Sequence, residues 1–247
     1  MIRNPILRVL SSIEERRVRA LLMGGQACVL YGAAEFSRDT DLAILASAAN
    51  FERLAAALRD LRAEVIAVPP FEAKYLRRGH AVHFRCHEKE AAGMRVDVMT
   101  KMRGVAHFSS LWSRRTSLTL PDGTRCEVMG LSDLVQAKKT QRDKDWPMVR
   151  RLIEAHYFQN REQATAAQVR FWLRELRTPE LLVETALRWP AAWNAQKRDR
   201  RLLADARPGR ERRLTEGLAR EERVERQADA RYWAPLKADL ERLRHRR

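Results

Sequence analysis

The sequence predicts an α/β domain followed by an all-helical region, and three observations carry that prediction. As far as Gly130, short apolar segments of strand character alternate with amphipathic helical segments. From Leu131 onward nearly every segment has helical periodicity. The basic charge is also denser towards the end, where residues 160–247 hold 22 Lys plus Arg against 14 Asp plus Glu.

Residues 2–18 place Ile2, Ile6, Leu7, Leu10 and Ile13 at helical spacing ahead of the charged run EERR. ALLM, residues 20–23, reads as a short buried strand, and residues 26–34 as a helix opening directly after Gly24-Gly25. A second strand is expected over residues 40–45. Asn50 is placed to cap the helix FERLAAALRDLR, whose Phe51, Leu54, Leu58 and Leu61 share one face. AEVIAV, FEAKYLR, HAVHFRC and MRVDVMT read as strands, separated by Pro69-Pro70, Arg78-Gly79 and residues 91–93. SLTLPDGTRCEVM is a hairpin signal with Pro-Asp-Gly at its turn. The later helices break near Asn160, Pro179, Pro190 and Pro208-Gly209. A boundary near residue 158 gives domains 1–158 and 159–247.

The chain is 45% apolar, enough for a sizeable core in 247 residues. No apolar run reaches the roughly 18 residues of a membrane span, and the start turns charged too early for a secretory signal. A soluble, cytoplasmic protein with no membrane partner is expected. Cys28, Cys86 and Cys126 have no paired spacing, so they are read as reduced and inert. The net charge of +16, mostly arginine, suits a polyanion such as RNA or DNA, although an Arg-rich composition alone gives the same total.

Within residues 23–45, MGGQACVLYGAAEFSRDTDLAIL, two acids stand in an otherwise apolar segment. Side chains alternate along a strand, so Asp39 and Asp41 point the same way. Carboxylates projecting from one sheet edge suit magnesium, which takes one or two of them and completes its shell with phosphate oxygens and water. Asp97, between Val96 and Val98, offers a third acid on a neighbouring strand, a set that accommodates two ions about 4 Å apart. Gly24 and Gly25, at a strand-to-helix junction, let a phosphate chain approach backbone N–H groups. A zinc reading of His80, His83, Cys86 and His87 is set aside, because these spacings do not converge on a strand.

Taken in order, GG, then SRDTD, then VDV resembles the DNA polymerase β-like nucleotidyltransferase superfamily. LSDLVQAKKTQRDKDWPMVRRL is similar to a helix pair of its AbiEii-type branch, the toxins of type IV toxin-antitoxin systems, and of related minimal nucleotidyltransferases. The resemblance covers about residues 20–155. It implies a mixed twisted sheet flanked by helices, with Asp39, Asp41 and Asp97 holding two Mg2+ ions (or Mn2+) and Asp97 also activating the acceptor hydroxyl. Gly24 and Gly25 would receive the triphosphate of an NTP, Ser37 would cap the turn into the Asp strand, Lys138 or Lys139 would neutralise phosphate charge, and Asp145 would support the lysine helix. The implied activity is transfer of a nucleotide to an acceptor hydroxyl, with RNA, in particular a tRNA end, as acceptor and a cognate antitoxin as partner. Transfer to a protein or small-molecule hydroxyl, and a non-catalytic antitoxin-like or RNA-binding module, are the alternatives. The chain departs from the family pattern at Gly25 for a frequent Ser, at Glu35 for a frequent basic residue, and at Asp143 for a proline.

Overall fold

In a computed structural model, residues 4–245 are described, and the chain divides into two compact units. The first comprises residues 1–137 and 231–247; the second comprises residues 138–230. Ile2, assigned above to the first helix, lies outside the described residues.

The first unit opens with α1 (Asn4–Glu15), which buries Ile6, Val9, Leu10 and Ile13 along one stripe. β1 (Ala20–Met23) follows and is buried throughout. α2 (Gly24–Leu30) begins on the glycine pair itself and is shorter than expected, because the chain turns after Leu30 and residues 31–34 are not helical. Then come β2 (Asp39–Ile44), α3 (Ala48–Asp60), β3 (Glu64–Val65), α4 (Ala73–Arg78), β4 (Val82–Arg85) and β5 (Arg95–Met99). α5 (Phe108–Ser113), β6 (Thr116–Thr119), β7 (Arg125–Val128) and α6 (Leu131–Lys138) close the run.

The seven strands form one mixed sheet in the order β3-β4-β5-β2-β1-β7-β6, flanked by helices. β2/β5 and β1/β7 are parallel pairs and the remaining neighbours antiparallel. The expected hairpin is β6/β7: Gly123 N–H donates to Leu120 O at 2.9 Å, with Gly123 at φ +87° and Asp122 accepting from Thr124 N–H.

Three local expectations are corrected. FEAKYLR is not a strand: its Ala, Lys, Leu and Arg are good helix formers, and α4 buries Tyr75 and Leu76 before Gly79 ends it at φ +109°. AEVIAV yields only the two residues of β3, since the Pro69-Pro70 pair that follows offers no ladder donors. Ser47, not Asn50, caps α3, accepting from Asn50 N–H at 3.3 Å. Asn50 is buried and acts as a staple: its Oδ1 accepts from Arg19 N–H at 2.7 Å, and its Nδ2 donates to Arg19 O at 3.1 Å and Leu45 O at 3.0 Å.

The second unit is helical. It contains α7 (Asp145–Asn160), α8 (Ala166–Glu175), α9 (Pro179–Arg188), α10 (Pro190–Gln196) and the start of α11 (Glu211–Arg244), so residue 158 falls inside a helix. Thr165 and Gln168 form a reciprocal cap on α8, and Pro179 and Pro190 each stand in a first helical turn, where a missing N–H costs nothing. Trp172 is fully buried, 4.9 Å from the Tyr157 ring and 5.6 Å from that of Trp189, and its indole donates to His156 Nδ1 at 2.9 Å. Arg200 joins the carbonyls of Leu173 and Leu176 to the Glu221 carboxylate. Among the described residues no helix is long and apolar enough to cross a membrane.

Residues 231–244, the end of α11, belong to the first unit. There Asp239 lies 2.9 Å from Nε2 of the buried His80, and Tyr232 and Leu236 pack near Gly79.

Candidate active site

The sheet register brings the first-unit candidates onto adjacent strands. Asp41 on β2 stands opposite Asp97 on β5, Asp39 stands opposite Arg95, and Asp97 stands opposite His83 on β4. Cross-strand partners share a face, so Asp39, Asp41, Asp97, Arg95 and His83 all project from one side of the sheet.

The glycine pair meets this group from β1, where Met23 stands opposite Asp41. Gly24 has φ +67°, and a Cβ added there would fall 1.8 Å from Asp41 Oδ2 and 2.4 Å from its Cγ. A Cβ on Gly25 would fall 2.7 Å from Ser37 Oγ. Asp41 and Ser37 therefore pack against the backbone of the doublet, which explains why side chains are missing there. The Ser37 hydroxyl donates to Asp39 O at 3.2 Å and so ties the turn to the start of β2.

Asp97, 8% exposed, is the most enclosed of the three acids. Arg95 grips it with both ends of its guanidinium, Nε to Oδ1 at 2.8 Å and Nη2 to Oδ2 at 2.9 Å. His83 Nδ1 lies 2.8 Å from Asp97 Oδ1 and 3.1 Å from Arg95 Nη2. One nitrogen cannot accept from Arg95 and donate to Asp97 at once, so only in the Nδ1–H tautomer does His83 donate to Asp97. Burial pushes the Asp97 carboxyl up, but the hydrogen bonds and charges of His83 and Arg95 outweigh it and hold the group below the usual carboxylate range. The Arg95 guanidinium is pushed up first by its Asp97 bond, and also by the charges of Asp97, Asp39 and Asp41. Arg95 is thus the positive charge that compensates all three acids.

Asp39 and Asp41 are half-buried. Among the described residues no three His, Cys, Asp or Glu side chains converge closely enough to hold a metal ion. Carboxylate oxygen is the donor that magnesium takes, and Asp39 and Asp41 offer it on this face, while both oxygens of Asp97 are already held by Arg95.

Lys138, Lys139 and Asp145 lie in the second unit. Lys138 Nζ is 3.2 Å from Asp145 Oδ1, and Asp145, 2% exposed in the first turn of α7, also accepts from Thr140 Oγ1 at 2.6 Å and Arg142 Nε at 2.7 Å. Burial raises the Asp145 carboxyl, and Lys138, Thr140 and Arg142 bring it below its ordinary value. Lys139 is buried and pairs with Glu175 at 2.8 Å.

Of the histidines considered for zinc, His83 serves Asp97 and His80 serves Asp239, and the buried Cys86 thiol is pushed up to about 11 by burial. Sequence reasoning missed His83 and Arg95 as members of the acid cluster. The signal for Arg95 was present in RVDVM, where period two puts Arg95 and Asp97 on one face.

No family model matches the chain, and no curated protein matches it.

Proposed function

We propose that the protein is a metal-dependent nucleotidyltransferase that moves a nucleotide from an NTP to an acceptor hydroxyl, with RNA as the acceptor. The observation that carries this reading is the placement of Asp41 between Asp97 and Gly24, with acids on neighbouring strands and a backbone cradle beside them. The net charge of +16 supports a polyanionic acceptor.

In this reading Asp39 and Asp41 hold Mg2+, which when bound would offset charge on the triphosphate. The N–H groups of Gly24 and Gly25, at the start of α2, receive phosphate oxygens in this reading. Asp97, released from Arg95, takes the proton of the acceptor hydroxyl as its oxygen attacks the α-phosphorus of the NTP and pyrophosphate leaves, and Arg95 turns its donors to phosphate. His83 keeps the Asp97 carboxylate oriented through its Nδ1 bond.

A second reading is favoured by the Arg95–Asp97 pair itself: the protein binds RNA without catalysis, and the arginine is a permanent neutraliser. Incubation with each labelled NTP, Mg2+ and total RNA separates the two. Label at tRNA size that vanishes in Asp41→Ala supports the enzyme. Label on a protein band redirects the acceptor, and absence of any label with RNA binding retained in Asp39→Ala and Asp41→Ala supports the binding module. A toxin role with a cognate antitoxin belongs to the same proposal and is read by growth arrest on expression.

A further inference from the structure

We propose that the first unit carries a second ligand site, on the sheet face opposite Asp41, which takes a small amphipathic anion with its acidic head on Arg17 and Arg19. The inference stands apart from nucleotidyl transfer. β1 and β2 pair Leu22 with Leu42 and, one step along, Met23 with Asp41, so Leu22 and Leu42 face away from the acids. They form the floor of a cavity of about 340 Å³.

The floor is dry. Leu10, Val18, Leu22 and Leu42 line it and are between 1% and 8% exposed. The rim is cationic, with Arg17, Arg19, Arg115 and Arg125 against Glu14 and Glu127. Both carboxylates are already engaged. Glu127 accepts from Arg115 Nε at 2.7 Å and Arg125 Nη2 at 3.4 Å, and Glu14 accepts from the Arg125 backbone N–H at 2.8 Å.

Arg17 and Arg19 have no carboxylate partner among the described residues. Arg19 instead lies over the Trp112 ring at 4.9 Å, and Arg115 lies 4.3 Å from the same centroid. An indole fixes a guanidinium without consuming its N–H donors, which remain available to an anion. Apolar floor and cationic rim together select the ligand. A neutral apolar molecule forgoes the donors of Arg17 and Arg19, and a bare inorganic anion leaves the floor uncovered. A cavity of about 340 Å³ lies at the small end of ligand pockets, which makes a short-chain amphiphile such as octanoate a suitable probe.

The test is isothermal titration of the full chain with octanoate, octyl phosphate, octanol and inorganic phosphate. Octanoate or octyl phosphate is expected to bind at least about tenfold more tightly than octanol or phosphate, and the tighter of the two identifies the head group as carboxylate or phosphate. Arg17→Met and Arg19→Met should each weaken binding about tenfold while the thermal melt stays unchanged. No binding of either amphiphile at millimolar concentration, or equal binding by a folded Arg17→Met/Arg19→Met double variant, overturns the proposal.

Discussion

The carboxylate of Asp41 fills the space that a side chain on Gly24 would need, Oδ2 lying 1.8 Å from where that Cβ would be. The two residues are 17 positions apart in the chain, and the antiparallel β1/β2 ladder brings them together. Gly24→Ala therefore meets both a clash and an unfavourable φ of +67°. A loss of about 2 kcal/mol or more in urea unfolding is expected, with nucleotide incorporation abolished if the proposed activity holds. Gly93 is the control: it also has positive φ but meets nothing within 4 Å, so Gly93→Ala should cost about 1 kcal/mol.

Asp97 and Asp145 give stability a defined acid limb. Each folded-state carboxyl is held below its ordinary value, so its contribution is fully present above the unfolded value near 4 and is lost as pH falls through the lower folded value. Thermal melts between about pH 2 and pH 6 should show this decline, and Asp97→Asn should flatten it. An Asp97→Asn variant as acid-sensitive as the parent contradicts the assigned bonds.

Lys138 and Lys139 should separate in a stability assay. Lys139 pairs with Glu175 in a buried setting, and its loss leaves that carboxylate with the largely exposed Arg174, 3.1 Å away, so Lys139→Met should cost about 2 kcal/mol. Asp145 keeps Thr140 and Arg142 when Lys138 is lost, so Lys138→Met should cost about 1 kcal/mol. Equal costs in chemical denaturation would show that the two ion pairs are equivalent.

Arg62 ends α3 with φ +47°, a conformation that glycine adopts without strain. Arg62→Gly should raise stability by up to about 1 kcal/mol, seen as a higher melting temperature. A lower melting temperature would show that the Arg62 side chain supplies more than the backbone strain takes away.

Much of the sheet was legible because its strands are short and bounded by turn residues: ALLM is a continuous apolar run, RVDVM alternates in sequence, and Pro-Asp-Gly marks the hairpin turn. FEAKYLR was misread because aromatic and branched residues mimic a strand, whereas its Ala, Lys and Arg decide locally for helix. Asn50 looked like a cap because nothing in the local sequence reveals that its amide reaches the backbone of Arg19, 31 positions earlier. The acids of the candidate site were legible by alternation on each strand. Their engagement by Arg95 and His83 was only half so, since the β4/β5 register is a long-range property that no single segment encodes.

The return of residues 231–245 to the first unit has a consequence for biogenesis. The sheet unit is discontinuous in the chain, so during synthesis it waits for the whole intervening helical unit before the partner of His80, Asp239, leaves the ribosome. Until then the contact between Asp239 and His80 cannot form, and a nascent chain stalled before residue 239 presents an incomplete surface that a chaperone or protease can recognise.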